Sequence, residues 1–340
     1  MRGRFLRTGL AVAAFSMAMA VPAAAHGTDS DVDTTALPVG ETVDEATVGG
    51  LWSCQTDFVA AGAAGAQTEG PWFNGDGTWD ATEKYTVDGD VEWPEAEYTI
   101  TKEDGMRVIS TNNLPTDHTT GEFPVSEDDD AYSVDRNPNT ITAQDYTIEL
   151  DATPELADEP SCAGGIVGVL KSGVLLFNAV DAGERDAVAY EVQDECDGHP
   201  NPSGYHYHAA SDCVLADLDS GTGQSKLIGY ALDGFGIYGP RDENGNELTS
   251  EDLDECHGIT SRVKFNGKWQ TIYHYVATVD YPYTVGCFRG TPVNDMFASG
   301  GGGQGGQQGG TPSGTQDGQT PGNMPPPPPG GGAPSRPQNA

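Results

Sequence analysis

The feature that most constrains the fold is a cassette that occurs twice. Asp194-Glu195-Cys196-Asp197-Gly198-His199 leads to Tyr205-His206-Tyr207-His208 and then to Cys213; further on, Asp254-Glu255-Cys256-His257-Gly258 leads to Tyr273-His274-Tyr275-Val276 and then to Cys287. An acid-acid-Cys string, a Tyr-His-Tyr strand and a closing cysteine, met twice in one order, suggest a duplicated unit. Cysteine position in the cassette pairs Cys196 with Cys213 and Cys256 with Cys287, which leaves Cys54 with Cys162. Mapping from spacing alone leaves other connectivities open. Six cysteines and no C-x-x-C pair fit an oxidising compartment, where thiols are consumed as disulfides.

The N-terminus supplies a reason for that compartment. Arg2, Arg4 and Arg7 precede the apolar stretch Leu10 to Val21, and Ala23-Ala24-Ala25 offers small residues for signal peptidase, so residues 1–25 read as a signal peptide cleaved after Ala25. The expected location is secreted or periplasmic. The apolar stretch is too short for a bilayer core, and no later run supplies the roughly 20 residues of a spanning helix. With no cysteine just after the cleavage point, no lipid anchor is expected there. A formal net charge of −36 excludes nucleic acid as a partner, because binding it depends on Lys and Arg neutralising phosphates. Such acidity suits a solvated surface in salty surroundings or, less simply, clustered carboxylates that take divalent cations. Extracellular matrix or cell-surface contact is the partner class left open, as is oligomeric state.

Along the chain, residues 26–45 form a polar, acidic and flexible lead-in, and 46–106 an N-terminal β segment. A larger β-rich region follows over 107–297, and 298–340 is a disordered tail rich in Gly, Pro and Gln, with Pro325 to Pro329 in polyproline II. Tyr98 to Thr101, Ile166 to Phe177 and Trp269 to Thr278 carry strand patterns bounded by turn residues. Helical periodicity is poor; the best short candidate runs from Thr249 to Cys256, capped by Thr249 or Ser250. The fold class is therefore mostly β: a β-sandwich-like or mixed β domain with long loops, disulfides and few short helices. Asn74-Gly75-Asp76-Gly77 reads as a hairpin turn. Asp242 to Asn246 reads as a polar turn, since its glycine comes too early and Leu253 stands where an EF-hand needs an acid.

Gly204-Tyr205-His206-Tyr207-His208 closely resembles the signature of the YHYH domain family of secreted proteins. The flanking strings CDGHP (196–200), ALDGFGIYGP (231–240), DLDECHG (252–258) and PYTVGCFRG (282–290) strengthen the likeness, with LPTDHTTGEFP (114–124) and GGIVGVLKSGVLLFNA (164–179) upstream. The likeness runs from about Arg107 to Phe297. It implies a secreted protein with a signal peptide and a Gly/Pro tail, and no established activity. The chain departs from the family pattern at Gly236, where proline is usual. Val276 and Ile259 in the second cassette stand where the first has His208 and His199, which would leave a second site incomplete.

In an extended strand, residues two apart share a face, so His206 and His208 project together while Tyr205 and Tyr207 face the other way. Two imidazoles on one face suit a first-row ion, zinc or copper rather than calcium. His274, His199, His257 and His118 are candidate further ligands. Asp197, Asp233 and Asp254 are candidate ligands or acceptors for the outer ring nitrogens. Such an ion would be structural or a Lewis acid that makes hydroxide from water, with Asp233 as the candidate base; whether the chain is an enzyme stays open. The competing reading is a non-enzymatic surface, matrix or adhesion module whose Tyr/His network only ties strands together, and the tyrosines suit cross-strand packing. His26, as a mature N-terminus, offers a lesser copper site through its amine and ring. No G-x-S-x-G, H-E-x-x-H, Walker loop or dinucleotide fingerprint is present.

Overall fold

The computed structural model describes residues 32–54, 66, 68–219 and 221–293. The expected signal peptide, His26 and the Gly/Pro tail lie outside the described residues. Among the described residues there are fifteen strands, and the first four are short: β1 Leu37–Pro38, β2 Thr42–Val43, β3 Leu51–Trp52 and β4 Thr78–Trp79. A three-stranded antiparallel sheet follows, of β5 Tyr98–Glu103, β6 Met106–Thr111 and β7 Tyr146–Asp151. The rest build one mixed sheet of eight: β8 Ile166–Leu170, β9 Leu175–Phe177, β10 Gly198–Asn201, β11 Gly204–Tyr207, β12 Leu227–Ala231, β13 Gly236–Tyr238, β14 Gly258–Phe265 and β15 Lys268–Val276. The chain is mostly β, as its alternation predicts.

The order in the large sheet is β10-β11-β9-β8-β12-β13-β15-β14. It is a palindrome once β8 to β11 are matched with β12 to β15, and the pairing directions match as well. Each half has an antiparallel β8–β9 or β12–β13 hairpin, a parallel β9–β11 or β13–β15 contact, and an antiparallel outer pair. Even the irregularities repeat: the register shifts between Ile166 and Gly168 and again between Leu227 and Gly229. β8 and β12 meet antiparallel at the centre, where a Cβ on Gly168 would sit 2.7 Å from the Tyr230 carbonyl and one on Gly229 2.6 Å from that of Val169. Only glycine allows that approach. The duplication suggested by the cassette is thus a structural one.

The turns that launch β10 and β14 are also copies. Asp194 Oδ1 accepts from the N–H groups of Cys196 at 3.0 Å and Gly198 at 3.1 Å; Asp254 Oδ1 accepts from those of Cys256 at 3.0 Å and Gly258 at 2.9 Å. Tyr205 donates its hydroxyl to both Asp194 oxygens at 2.8 and 2.9 Å, and Tyr273 to Asp254 at 3.1 Å. The tyrosine ring lies over the glycine, so a Cβ would meet the hydroxyl at 2.1 Å on Gly198 and 2.2 Å on Gly258. Disulfides Cys196–Cys213 and Cys256–Cys287 close the two units, and Cys54–Cys162 ties the N-terminal segment to the residues before β8. Three disulfides fit an extracellular, oxidising setting.

β6 and β7 bury alternate residues, Ile109, Ile148 and Leu150 among them, in one core with Val169, Leu175, Tyr230 and Ile237 of the large sheet. Arg107 stacks over the Tyr230 ring at 3.9 Å from its centroid. Met106 and Arg107 are both in β6, so the sequence segments 46–106 and 107–297 share a hairpin. A second apolar cluster sets Leu37, Trp72, Trp79 and Val87 against Ala189 and Val192. The helical candidate at Thr249 is a single 3-10 turn, Ser250–Asp252, whose Asp252 carboxylate accepts from the Thr249 N–H and hydroxyl. The α-helices lie elsewhere, α1 at Ala187–Tyr190 and α2 at Asp212–Leu218, capped by the Asp186 and Ser211 side chains. Among the described residues no helix is long and apolar enough to cross a membrane.

Candidate metal centre

Cross-strand pairing brings the first imidazoles together. His199 on β10 lies directly opposite His206 on β11. His208, two residues beyond His206, returns to the same face as the strand ends. All three are buried, and one ring nitrogen from each lies within 4.8 Å of the others. The Nε2 atoms of His206 and His208 are 3.2 Å apart. Phe177 walls the cluster, its ring centroid 4.2 Å from that of His206.

The outer nitrogens fix the tautomers. His206 Nδ1 faces the Gly204 carbonyl at 3.2 Å and His208 Nδ1 the Asn178 carbonyl at 2.5 Å. A carbonyl oxygen only accepts, so each Nδ1 carries the hydrogen and each Nε2 of the neutral ring presents a lone pair. Burial lowers the pKa of all three rings, most strongly for His199 and His206, and holds His208 at about 4. The rings are therefore neutral at ordinary pH, and two lone pairs converge with no proton between them. Neither ring nitrogen of His199 has a hydrogen-bond partner.

Glu191, the C-cap of α1, borders the cluster on the side of His199 and His208, and nothing in the sequence singled it out. Its Oε2 lies 3.5 Å from Nε2 of both His199 and His208. Burial raises its pKa well above the usual carboxylate range; Asp135 and Asp181 push the same way, and Lys84 and Arg185 oppose them. Lys84 donates to Gln193 from within this polar core, where burial depresses its pKa to about 8. Buried carboxylates and imidazoles held this close are a common basis for binding or catalysis.

The remaining candidates lie elsewhere. His274 repeats the pose of His206, with Nδ1 on the Ile272 carbonyl at 3.1 Å, but β15 belongs to the other half of the sheet and does not pair with β11. Opposite His274 stands Ile259, and two residues on stands Val276. The corresponding space is a cavity of about 170 Å³ lined by Tyr238, Ile259, His274 and Val276. His257 has φ 70° and occupies the turn position that Asp197 fills with φ 64° in the first half; its Nε2 meets the Thr278 hydroxyl at 2.9 Å. His118 sits on the tyrosine face, with Nδ1 2.7 Å from Asp117 and Nε2 3.1 Å from the Tyr207 hydroxyl. The three aspartates are engaged by the scaffold. Asp197 accepts from the Asp212 N–H at 2.8 Å, Asp254 holds its own turn, and Asp233 accepts from the Tyr275 hydroxyl at 2.6 Å and the Gly290 N–H at 2.9 Å. Asp233 is thus a tether for a tyrosine of the second half, because strand alternation points Tyr275 away from the His274 face.

Residues 147–250 match the family model described as YHYH protein. No curated protein and no solved structure gives a match. The matched stretch is shorter than the sequence likeness over 107–297; it holds the three clustered histidines and Glu191 and stops before the second Tyr-His-Tyr. The chain carries a YHYH domain over residues 147–250.

Proposed function

We propose that this is an extracytoplasmic metal-binding protein whose ion is held by Nε2 of His206, Nε2 of His208 and a ring nitrogen of His199. One observation supports it above the others: two Nε2 lone pairs 3.2 Å apart, on rings whose protons are committed to the Gly204 and Asn178 carbonyls. Such an arrangement is repulsive on its own and favourable around a cation. The spacing matches the edge of a tetrahedron with Zn–N bonds of 2.0–2.1 Å, about 3.3 to 3.4 Å. Imidazole donors favour zinc or copper over calcium, which takes oxygen. Carbonyl partners on the outer nitrogens are the arrangement that orients metal-bound histidine and raises its basicity. The secreted setting rests on the N-terminal sequence and fits the three disulfides.

The tyrosines supply the scaffold. Tyr205 and Tyr207 bond to Asp194 and Ser172 from the opposite face of the strand that carries His206, and so support the register that aligns the imidazoles. The reading is tested by metal analysis of the full chain, produced with its disulfides formed, beside a His206→Ala/His208→Ala double variant. One equivalent of ion in the parent and none in the variant is the expected result; equal content in both removes the proposal.

A further inference from the structure

Charge sets the β14–β15 hairpin apart from the rest of the protein. The chain holds 52 acidic residues in 340, yet Gly258 to Val276 contains none and carries Arg262, Lys264 and Lys268. Lys102 of β5 joins them, donating to Asn266 in the hairpin turn. Burial, and then the like charges of Arg107 and Lys268, lower its pKa. Elsewhere Arg185, Arg241 and Arg289 each pair with an aspartate. Lys102, Arg262, Lys264 and Lys268 have no acidic partner among the described residues.

Register sets an indole among these cations. Side chains alternate between the two faces of a strand. Arg262 and Lys264 therefore share a face with Thr271 and Trp269, their partners across the hairpin. The Arg262 guanidinium lies over the Trp269 ring, 5.0 Å from its centroid. Trp269 is 54 % exposed, the most open of the large apolar side chains among the described residues. β14 is an edge of the eight-stranded sheet, and exposed cations on an edge strand deter pairing with another chain. That role accounts for the cations. It does not account for the indole, because an open aromatic beside the edge works against the protection.

We propose that this face binds an anionic polysaccharide whose sugar rings carry carboxylates, with the C–H face of a ring stacked on Trp269 and its carboxylate paired with Arg262 and Lys264. A planar guanidinium forks onto a carboxylate through two N–H groups. A uronate holds that carboxylate on the same ring that the indole covers, so aromatic and cation act on one unit of the polymer. The protein as a whole is anionic and repels a polyanion, but salt screens that repulsion beyond about 8 Å at physiological ionic strength. Attraction is confined to the groups in contact at the hairpin. Nothing in it depends on the histidine cluster.

Calorimetric titration of the full chain, with its disulfides formed, tests this with polygalacturonate oligomers beside neutral dextran and inorganic polyphosphate, all at physiological ionic strength. The parent should bind the uronate and not the dextran. Trp269→Ala should weaken binding about tenfold or more, as the loss of an aromatic anchor does. Arg262→Gln/Lys264→Gln should weaken it roughly fivefold or more, since two charge pairs go at once. Arg136 is the control: its guanidinium also lies over a ring, that of Tyr132, in a segment that carries Glu127 to Asp130. Arg136→Gln should bind as the parent does. No uptake of uronate by the parent overturns the proposal. So does an Arg136→Gln loss equal to that of the hairpin variants, which would make net charge the cause. Parental affinity in Trp269→Ala, or polyphosphate bound as tightly as the uronate, overturns it too, since the patch would then read charge without the sugar. Far-UV circular dichroism checks folding; should one hairpin variant fail to fold, the other decides by the same criteria.

Discussion

His206 and His208 face each other through Nε2 atoms 3.2 Å apart, while their other nitrogens rest on the backbone carbonyls of Gly204 and Asn178. Because both rings and their surroundings are buried, the arrangement forms only in the folded state, and an ion bound there stabilises the fold by mass action. At a hundredfold excess over the dissociation constant the gain is roughly 2.7 kcal/mol. Adding a strong chelator should therefore lower the thermal midpoint of the parent and leave that of the His206→Ala/His208→Ala variant unmoved. A chelator effect of equal size in both proteins would place the ion elsewhere.

The palindromic sheet makes a constructive prediction. His274 already holds the pose of His206, and Ile259 and Val276 occupy the positions of His199 and His208. The paired substitution Ile259→His and Val276→His should create a second three-histidine site. Calorimetric titration with zinc should then give two equivalents per chain where the parent gives one. A stoichiometry still at one would mean that matched register alone does not bring three imidazoles together.

His274 also sets a pH dependence apart from the His199, His206 and His208 cluster. Burial depresses its pKa from 6.5 to about 4. Above pH 6.5 the ring is neutral in both folded and unfolded chains and contributes no pH dependence. As the pH falls below 6.5 the unfolded chain binds the proton first, so stability declines until about pH 4. Between pH 7 and pH 5 the loss should be about 2 kcal/mol. Urea titrations of the parent and of His274→Gln at the two values isolate it: the advantage of the parent should shrink by that amount at pH 5. A constant difference would show that the ring protonates in the folded state without cost.

Tyr205 and Tyr273 are copies with unequal surroundings. Tyr205 is fully buried and donates to both oxygens of a buried Asp194, whereas Tyr273 donates to an Asp254 that is partly exposed. Removing a partner from a buried acceptor costs about 1–3 kcal/mol, and water makes good part of the loss where it has access. Tyr205→Phe should therefore destabilise more than Tyr273→Phe in denaturant unfolding, and equal losses would contradict the difference in burial.

Much of this was legible in the chain. Alternating runs bounded by Gly, Asn and Asp marked the strands, because a half-buried pleated strand imposes a two-residue period on its own residues. The cassette marked the duplication, and the two-residue offset put His206 and His208 on one face by backbone geometry alone. Neither α-helix among the described residues was legible, as Ala187–Tyr190 and Asp212–Leu218 are too short to show a period and are held by caps and packing.

The sequence by itself determined the local facts: the mostly β character, the repeated cassette, and the shared face of His206 and His208. Which groups join them was decided by tertiary structure. His199 arrives through antiparallel register, Glu191 comes beside two of the rings from the end of a helix one turn long, and His274 goes instead to the opposite half because β9, β8, β12 and β13 lie between β11 and β15. Strand order and the direction of a helix cap depend on contacts between residues distant in the chain, and no local period records them.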